Sequence, residues 1–276
     1  MDWLVYIFVG FMSGLSELMP VSNEAHNYFL QLMTEFDPNQ PFLQLCVHLA
    51  MLAAVLVLCR HRASYVYREM RMFSQPPRHR KRQPDPMAVM DGKVVLTIAL
   101  PIAVGLLLPD QLIGRFANLP MVILLLLVSG TVLYVPHFLP GANRDSRHLS
   151  QLEALTYGCF TGLAVLPGLS RMGSLLSLGA MRGCGRRYLL DIAFFVLIPV
   201  FIVMSAMDLL ALLGGGMAAL TLLQALQCLL AGAAAFAGAC LAIAAMRFVS
   251  VNIGYTVFAY YNWGLAIFGF ILYLMI

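Results

Sequence analysis

The sequence predicts an all-α polytopic membrane protein with six transmembrane helices and two re-entrant helical hairpins in an inverted-topology repeat. Of its 276 residues, 61% are hydrophobic and only 11% are charged, whereas a soluble domain carries about 25% charged residues. Six apolar segments are predicted to be spans, and five of them have 18 or more residues, close to the roughly 20 that crossing a bilayer requires. Two further pairs of apolar segments are shorter, and each pair is interrupted at a proline. This composition excludes a soluble globular domain.

The first hairpin is predicted at residues 3–16 and 22–34, on either side of Pro20. Each segment is too short to cross the bilayer, so the pair is expected to enter and leave on the same side. A turn at membrane depth is tolerated only where protein or a water-filled cavity surrounds it. The alternative is that the polar residues 17–26 form a short loop outside the membrane.

Three spans follow, at 42–59, 94–108 and 120–138. The segment 60–93 between the first two is predicted to be a loop, and it holds nine of the seventeen Lys and Arg residues. Basic loops remain on the cytoplasmic side. We interpret this one as a solvated loop near anionic lipid headgroups, and we expect no nucleic-acid partner.

The second half repeats the order of the first. A hairpin is predicted at 152–166 and 171–182, broken at Pro167 and Gly168, and spans are predicted at 188–213, 219–246 and 254–276. Because three spans separate the two hairpins, the repeats 1–140 and 141–276 have opposite orientations. With 60–93 inside, the basic turns also lie inside and both termini lie outside; those turns hold Arg144, Arg147, Arg182, Arg186, Arg187 and Arg247. Inverted repeats with broken helices commonly form a substrate site near the midplane.

The first hairpin tip carries ionisable groups, which at membrane depth indicate a functional site. Ser22 is a favoured N-cap for the helix after Pro20. His26 lies four residues further on the same helix face, the spacing of a nucleophile with its base or of a base that polarises water. Glu17 is expected either to orient His26 or to bind a divalent cation. Ser22 is alternatively only a cap, and Glu24 is interpreted as a first-turn acid that favours the helix dipole.

The second tip offers a matching helix start, with Ser170 as the predicted cap. Two helix N-termini that face each other form a site for phosphate, and Arg171 adds a guanidinium that can bind phosphate through two hydrogen bonds. The alternatives are that Ser170 only caps its helix and that Arg171 pairs with Asp191. His48, in the first full span, is assigned a structural role.

These two tips resemble the two motifs of the undecaprenyl-diphosphate phosphatase family, the membrane enzymes linked to bacitracin resistance. The first family motif has the form EGxxExxPVSSxGH, and residues 13–26 read SGLSELMPVSNEAH. The second has the form PGxSRSGxT, and residues 167–175 read PGLSRMGSL. The order of the spans also resembles that of the family, so the similarity covers essentially the whole chain.

The resemblance implies a phosphatase that removes one phosphate from a C55 isoprenoid diphosphate on the outer face of the bacterial plasma membrane. A divalent cation, Mg²⁺ or Ca²⁺, is the expected cofactor, with Glu17 as its ligand. Glu17, Ser22 and His26 are the expected catalytic residues. The expected substrate-binding residues are Asn23, Ser170, Arg171 and Gly173. The expected partners are the polyprenyl diphosphate lipid and the membrane, and a homodimer is left open.

Several motif positions depart from the family pattern. The first family Glu is Ser13, the second serine of a pair is Asn23, and Met172 and Leu175 replace a serine and a threonine. A C-terminal Tyr-Arg pair appears as Tyr261-Asn262. The alternative function is therefore a catalytically silent transporter or sensor of polyprenyl phosphate on the same fold.

Overall fold

A computed structural model describes residues 2–34, 36–139, 144–145, 148–216 and 220–275. The described ranges contain no β-strand and are built from α-helices joined by short turns. These helices are α1 (Asp2–Glu17), α2 (Asn23–Thr34), α3 (Pro41–Leu58), α4 (Arg60–Phe73), α5 (Pro86–Leu106), α6 (Asp110–Gly114), α7 (Leu119–Tyr134), α8 (Gln151–Gly162), α9 (Arg171–Met181), α10 (Arg186–Ala211), α11 (Leu222–Asn252) and α12 (Val257–Met275).

Six of these helices are long and apolar enough to cross a membrane, namely α3, α5, α7, α10, α11 and α12. The predicted all-α polytopic membrane protein with six spans is therefore confirmed. The predicted span boundaries differ by a few residues from those observed, except at the start of α5 and at the end of α11. Helix α11 continues to Asn252, so Arg247 lies in the helix and not in a turn as predicted. Arg147 lies outside the described residues, and the sidedness of the termini stays a prediction.

The prediction that 60–93 is a loop was wrong, because this segment contains helix α4 and the first turns of α5. Asp85 caps α5 by accepting a hydrogen bond from the Met87 N–H at 3.0 Å. Pro86 suits the first position of the helix, because a backbone N–H at that position would have no partner within the helix and proline has none. This cap starts the second span at Pro86, so Lys93 belongs to the helix.

Helix α4 is held against the start of α5 by a buried carboxylate. Glu69 accepts a hydrogen bond from the backbone N–H of Asp85 at 2.8 Å and another from Arg82. These two hydrogen bonds hold the pKa of Glu69 below its usual value, and the bond from the Asp85 N–H has the larger effect. The basic segment therefore folds on the end of the bundle.

The first helix of each hairpin packs closely on a span of the other half. Gly10 and Gly14 of α1 face α11, where a Cβ at Gly10 would lie 2.0 Å from the carbonyl oxygen of Ala231. Gly158 and Gly162 of α8 face α5 in the same way. Small residues four apart let helix backbones approach closely in membranes. This matched packing is what an inverted repeat requires, but the repeat, its boundaries and the re-entrant course of the hairpins stay predictions.

Helix α10 lies in the centre of the bundle, where it contacts α3, α5, α9 and α11. Its side chains Phe194 and Phe201 are fully buried. Toward its C-terminal end, Met204 contacts the start of α9. The central helix thereby supports the second hairpin tip from behind.

Candidate active site

The two hairpin tips meet inside the protein. Ser22 caps α2 by accepting a hydrogen bond from the Ala25 N–H at 3.2 Å, and its hydroxyl oxygen also accepts one from the N–H of Gly168 at 3.0 Å. Gly168 has φ of +113°, a left-handed conformation that glycine adopts without strain. The predicted cap at Ser22 is confirmed, and the same oxygen connects the two halves.

Ser170 caps α9 as predicted, because its hydroxyl accepts a hydrogen bond from the Gly173 N–H at 3.0 Å. A Cβ at Gly173 would lie 3.0 Å from the Ser170 Cβ, so glycine keeps this first turn close to its cap. Both tips therefore end in a helix N-terminus, where unpaired N–H groups and the helix dipole favour a negative group.

Arg171, the first residue of α9, connects the second tip to two carboxylates of the first. Its Nη1 lies 2.7 Å from Oε1 of Glu17, and its Nη2 lies 3.2 Å from Oε1 of Glu24. Nη1 also contacts the sulfur of Met204 at 3.2 Å. Arg171 and Glu17 are buried, whereas the Glu24 side chain is 30% exposed. Two acidic residues of the first half thus hold the guanidinium of the second.

The alternative pairing of Arg171 with Asp191 was wrong, whereas the interpretation of Glu24 as a first-turn acid is confirmed but was incomplete. Arg171 does not pair with Asp191, whose carboxylate instead binds Arg62 at 2.7 Å. Glu24 does lie in the first turn of α2, but its carboxylate reaches Arg171 and so belongs to the cluster. The spacing along α2 places Glu24 on a different helix face from His26. The sequence does not show that the second tip, with Arg171, packs against that face.

Asn23 lies beside the Glu17 carboxylate, and its Oδ1 accepts a hydrogen bond from the Ser16 hydroxyl at 2.9 Å. This amide connects the end of α1 to the start of α2 across the turn. Asn23 therefore supports the position of Glu17.

His26 does not contact the Ser22 hydroxyl or Glu17 in the way the spacing predicted. Its Nδ1 lies 2.6 Å from the backbone oxygen of Ser22, and its Nε2 lies 2.7 Å from the hydroxyl of Tyr261. Because a carbonyl oxygen only accepts hydrogen bonds, Nδ1 carries the proton of the neutral ring. Nε2 is then the basic atom, and it accepts from Tyr261, a contact that the sequence did not reveal.

Four further positions that depart from the family pattern are buried. Ser13, Met172 and Leu175 are buried. Asn262 is also fully buried, and its Nδ2 donates to the backbone oxygen of Pro20 at 3.0 Å. Asn262 thereby fixes the first tip from α12.

The donor groups of this cluster fit a cation that is shared with a substrate. In the part of the chain that the structure describes, no group of three or more His, Cys, Asp or Glu side chains could hold a metal by itself. Glu17 and Glu24 supply two carboxylates, each in contact with Arg171. Mg²⁺ is commonly bound by one or two carboxylates plus substrate phosphates, whereas Ca²⁺ takes six to eight oxygen ligands. The residues present therefore fit Mg²⁺ better.

Access to the cluster is one-sided. Glu17 and Arg171 are buried, while Glu24 and His26 are half-buried and Tyr261 is 45% exposed. The exposed side of the cluster therefore lies along α2 and α12. With both carboxylates ionised, negative charge exceeds positive charge here, so a phosphate ligand binds more favourably together with a cation.

Comparisons with known proteins show the family of the chain. The family model described as "Bacitracin resistance protein BacA" matches residues 6–268. An undecaprenyl-diphosphatase of Syntrophotalea carbinolica is 30% identical over 207 residues, which cover 72% of this chain and 73% of that protein. Proteins of the same name from Halothermothrix orenii and Desulfatibacillum aliphaticivorans are 26% and 27% identical over 95% and 84% of this chain, and over 95% and 90% of their own lengths. The chain therefore belongs to the bacitracin resistance protein BacA family.

Proposed function

We propose that this protein hydrolyses undecaprenyl diphosphate, or a closely related polyprenyl diphosphate, to the monophosphate in the bacterial plasma membrane. This reaction regenerates the lipid carrier used in cell-wall synthesis. The observation that carries the proposal is the cluster in which Arg171 lies between Glu17 and Glu24, where two capped helix N-termini meet. The names of the relatives support a phosphatase, and nothing found among them supports a silent transporter or sensor.

Arg171 and the helix ends are suited to hold the diphosphate. A guanidinium binds two phosphate oxygens at once, and the N–H groups at the start of α2 and α9 add to the attraction. Arg171 is already engaged by two carboxylates, so a bound phosphate must replace at least one of these contacts. Glu24 is the more exposed partner and has the longer contact, and we expect it to be the one that moves.

We infer that water, rather than Ser22, attacks the terminal phosphorus. The Ser22 oxygen already accepts from Ala25 and Gly168, so both of its lone pairs are used and it is a poor nucleophile. His26 Nε2 is the basic atom at the exposed side, and a water that displaces the Tyr261 hydroxyl would lie within hydrogen-bonding reach of it. Arg171 would stabilise the charge that develops on the phosphate oxygens.

Glu17 and Glu24 are the residues that would hold a divalent cation. Bound Mg²⁺ would neutralise phosphate charge and polarise the bond that breaks. The family pattern has a carboxylate at position 13, where this chain has Ser13. We propose that Glu24 supplies the second carboxylate instead of a residue at position 13, since Glu24 and Glu17 both contact the guanidinium of Arg171. The site then retains two carboxylates despite the change at position 13.

The remaining partner assignments stay proposals of the same kind. We expect no nucleic-acid partner, because the basic residues of α4 and of the segment that follows it are suited to anionic lipid headgroups. A homodimer is left open.

The direct test is phosphate release from C55 diphosphate by the purified protein, measured in Mg²⁺, in Ca²⁺ and in a chelator. We expect release that depends on the cation and is faster with Mg²⁺. A folded protein that binds the lipid and releases no phosphate under any of these conditions would contradict the proposed function.

A further inference from the structure

A large cavity lies away from the Arg171 cluster. Its volume is about 1060 Å³, and it is bordered by the second half of α9, the start of α10 and the turn between α11 and α12. Arg171 begins α9, whereas Ala180, near the end of that helix, lines the cavity. A helix rises about 1.5 Å per residue, so roughly 14 Å of α9 separates these two residues. The cavity is therefore distinct from the candidate active site.

The lining of this cavity is basic. It includes Arg144, Arg186 and Arg187, and Asp145 is the only acid among the lining residues that the structure describes. The Asp145 carboxylate contacts His148 at 3.2 Å. The guanidinium groups of Arg186 and Arg187 make no hydrogen bond or ion pair with any described residue. Positive charge therefore exceeds negative charge here, and a concave surface of one charge sign attracts ligands of the opposite sign.

Backbone hydrogen bonds hold the arginines at the cavity. The N–H of Arg144 donates to the carbonyl oxygen of Gly183 at 3.0 Å, and the carbonyl oxygen of Arg144 accepts from the N–H of Gly185 at 3.1 Å. The carbonyl oxygen of Arg186 accepts from the hydroxyl of Tyr255 at 2.7 Å. The segment before α8, the turn between α9 and α10, and the turn before α12 are thereby joined around one space.

Gly254 gives the guanidinium of Arg186 its place. Its φ is +101°, a conformation that glycine adopts without strain, and a Cβ at this position would lie 3.0 Å from Nη1 of Arg186. Helix α10 begins at Arg186, and its N-cap Gly185 supplies no side-chain cap. The first N–H groups of α10 and the positive end of its dipole therefore lie beside this guanidinium, which is a favourable arrangement for an anion.

Apolar side chains share the cavity with the arginines. Leu139, Val251 and Ile253 line it and are 40%, 49% and 54% exposed. They lie at or just beyond the ends of the spans α7 and α11. An acyl chain gains from contact with such side chains, because apolar surface is removed from water, whereas a free phosphate ion does not. Basic pockets between transmembrane helices on the cytoplasmic side, where this part of the chain is predicted to lie, are suited to anionic lipid headgroups.

We propose that this cavity binds the phosphate-bearing headgroup of an anionic phospholipid from the inner leaflet. Arg186 and the start of α10 hold the phosphate, because a guanidinium presents two donors to two phosphate oxygens at once. Arg144 and Arg187 supply further positive charge, and the exposed apolar side chains contact the acyl chains. This site goes beyond the proposed phosphatase function and does not depend on it.

The test measures the binding of single lipid molecules to the full-length protein in detergent by native mass spectrometry. The ligands are phosphatidylglycerol, phosphatidylcholine and inorganic phosphate. We expect the parent to prefer phosphatidylglycerol. The double variant Arg186→Gln/Arg187→Gln should bind this lipid at least about tenfold more weakly, because the charges that hold the phosphate are gone, and its affinity for phosphatidylcholine should change little.

Arg78→Gln/Lys81→Gln is the matched control, since it removes the same charge from two exposed residues of the segment after α4. It should bind phosphatidylglycerol like the parent, and thermal unfolding checks that both double variants are folded. Equal binding by all three proteins, or equal losses in the two double variants, would overturn the cavity as the site. Inorganic phosphate that binds as tightly as phosphatidylglycerol would overturn the lipid as its ligand. Phosphate release is not the readout, so a parent without phosphatase activity would contradict the proposed function and leave this result unaffected.

Discussion

The guanidinium of Arg171 lies 2.7 Å from the carboxylate of Glu17, and this contact joins the first residue of α9 to the last residue of α1. The two residues are 154 positions apart in sequence, and both are buried. Removing one partner of a buried ion pair leaves an uncompensated charge, at a cost of about 3–5 kcal/mol. The site therefore also fastens the two halves together, and tests at these positions need a check of folding.

Glu24→Gln tests whether Glu24 supplies the second carboxylate. We expect this variant to release phosphate at least about tenfold more slowly and to need more Mg²⁺, because an amide is a weaker ligand for a hard cation. Phosphate release titrated with Mg²⁺ measures both effects. Asp37→Asn, on the turn between α2 and α3, is a matched control that should behave like the parent.

Ser13→Glu added to Glu24→Gln makes this test sharper. Ser13 lies one turn before Glu17 on α1, on the same helix face. A carboxylate there returns the second ligand to the position that the family pattern uses. Partial recovery of the rate and of the Mg²⁺ dependence would support the proposal that Glu24 replaces the carboxylate that the family pattern has at position 13. A folded double variant that is no faster than Glu24→Gln counts against it.

His26→Ala and Ser22→Ala distinguish a base from a nucleophile. Loss of the base should lower phosphate release by about 10² to 10⁴. Loss of the Ser22 cap should cost about 1 kcal/mol of stability and leave most of the rate, because water is the attacking group. Rates at saturating substrate and the unfolding midpoints measure the two effects. A trapped phosphoserine at Ser22 would show that the serine is the nucleophile.

Gly10→Ala tests the close packing of α1 on α11. A Cβ at Gly10 would lie 2.0 Å from the carbonyl oxygen of Ala231, so the helices must separate, at a cost of about 1–3 kcal/mol for such overpacking. Thermal unfolding in detergent should show a lower midpoint. Gly264→Ala is the control, because a Cβ there meets no atom within 4 Å. Equal midpoints for both variants would mean that α1 does not pack as described.

A cysteine at Ser74 tests the predicted sidedness. In a background without the native cysteines, it should stay unreactive toward an impermeant reagent in intact cells, because the basic segment after α4 is predicted to lie inside. A cysteine at Asp37, predicted to lie outside, is the reactive control. The reverse pattern would invert the topology.

The six spans and the two N-caps were predictable from the sequence, because apolar length, prolines and serines are local signals. The contacts of Arg171 were not, since they depend on how two tips from distant segments approach. The contacts of Glu24 and Tyr261 were missed for that reason: Glu24 was judged by its spacing on α2 alone, and Tyr261 lies 235 positions from His26. The start of α5 was misjudged because nearby basic residues obscured the cap at Asp85.

The central claim is that the two tips form one phosphatase site around Arg171. Its most direct test is phosphate release from undecaprenyl diphosphate by the parent, Arg171→Lys and Arg171→Ala, with lipid binding and folding measured on the same samples. We expect the parent to be active, Arg171→Lys to retain part of both properties because a point charge cannot replace the planar fork, and Arg171→Ala to lose both. A folded Arg171→Ala variant that binds the lipid and releases phosphate like the parent would contradict the claim.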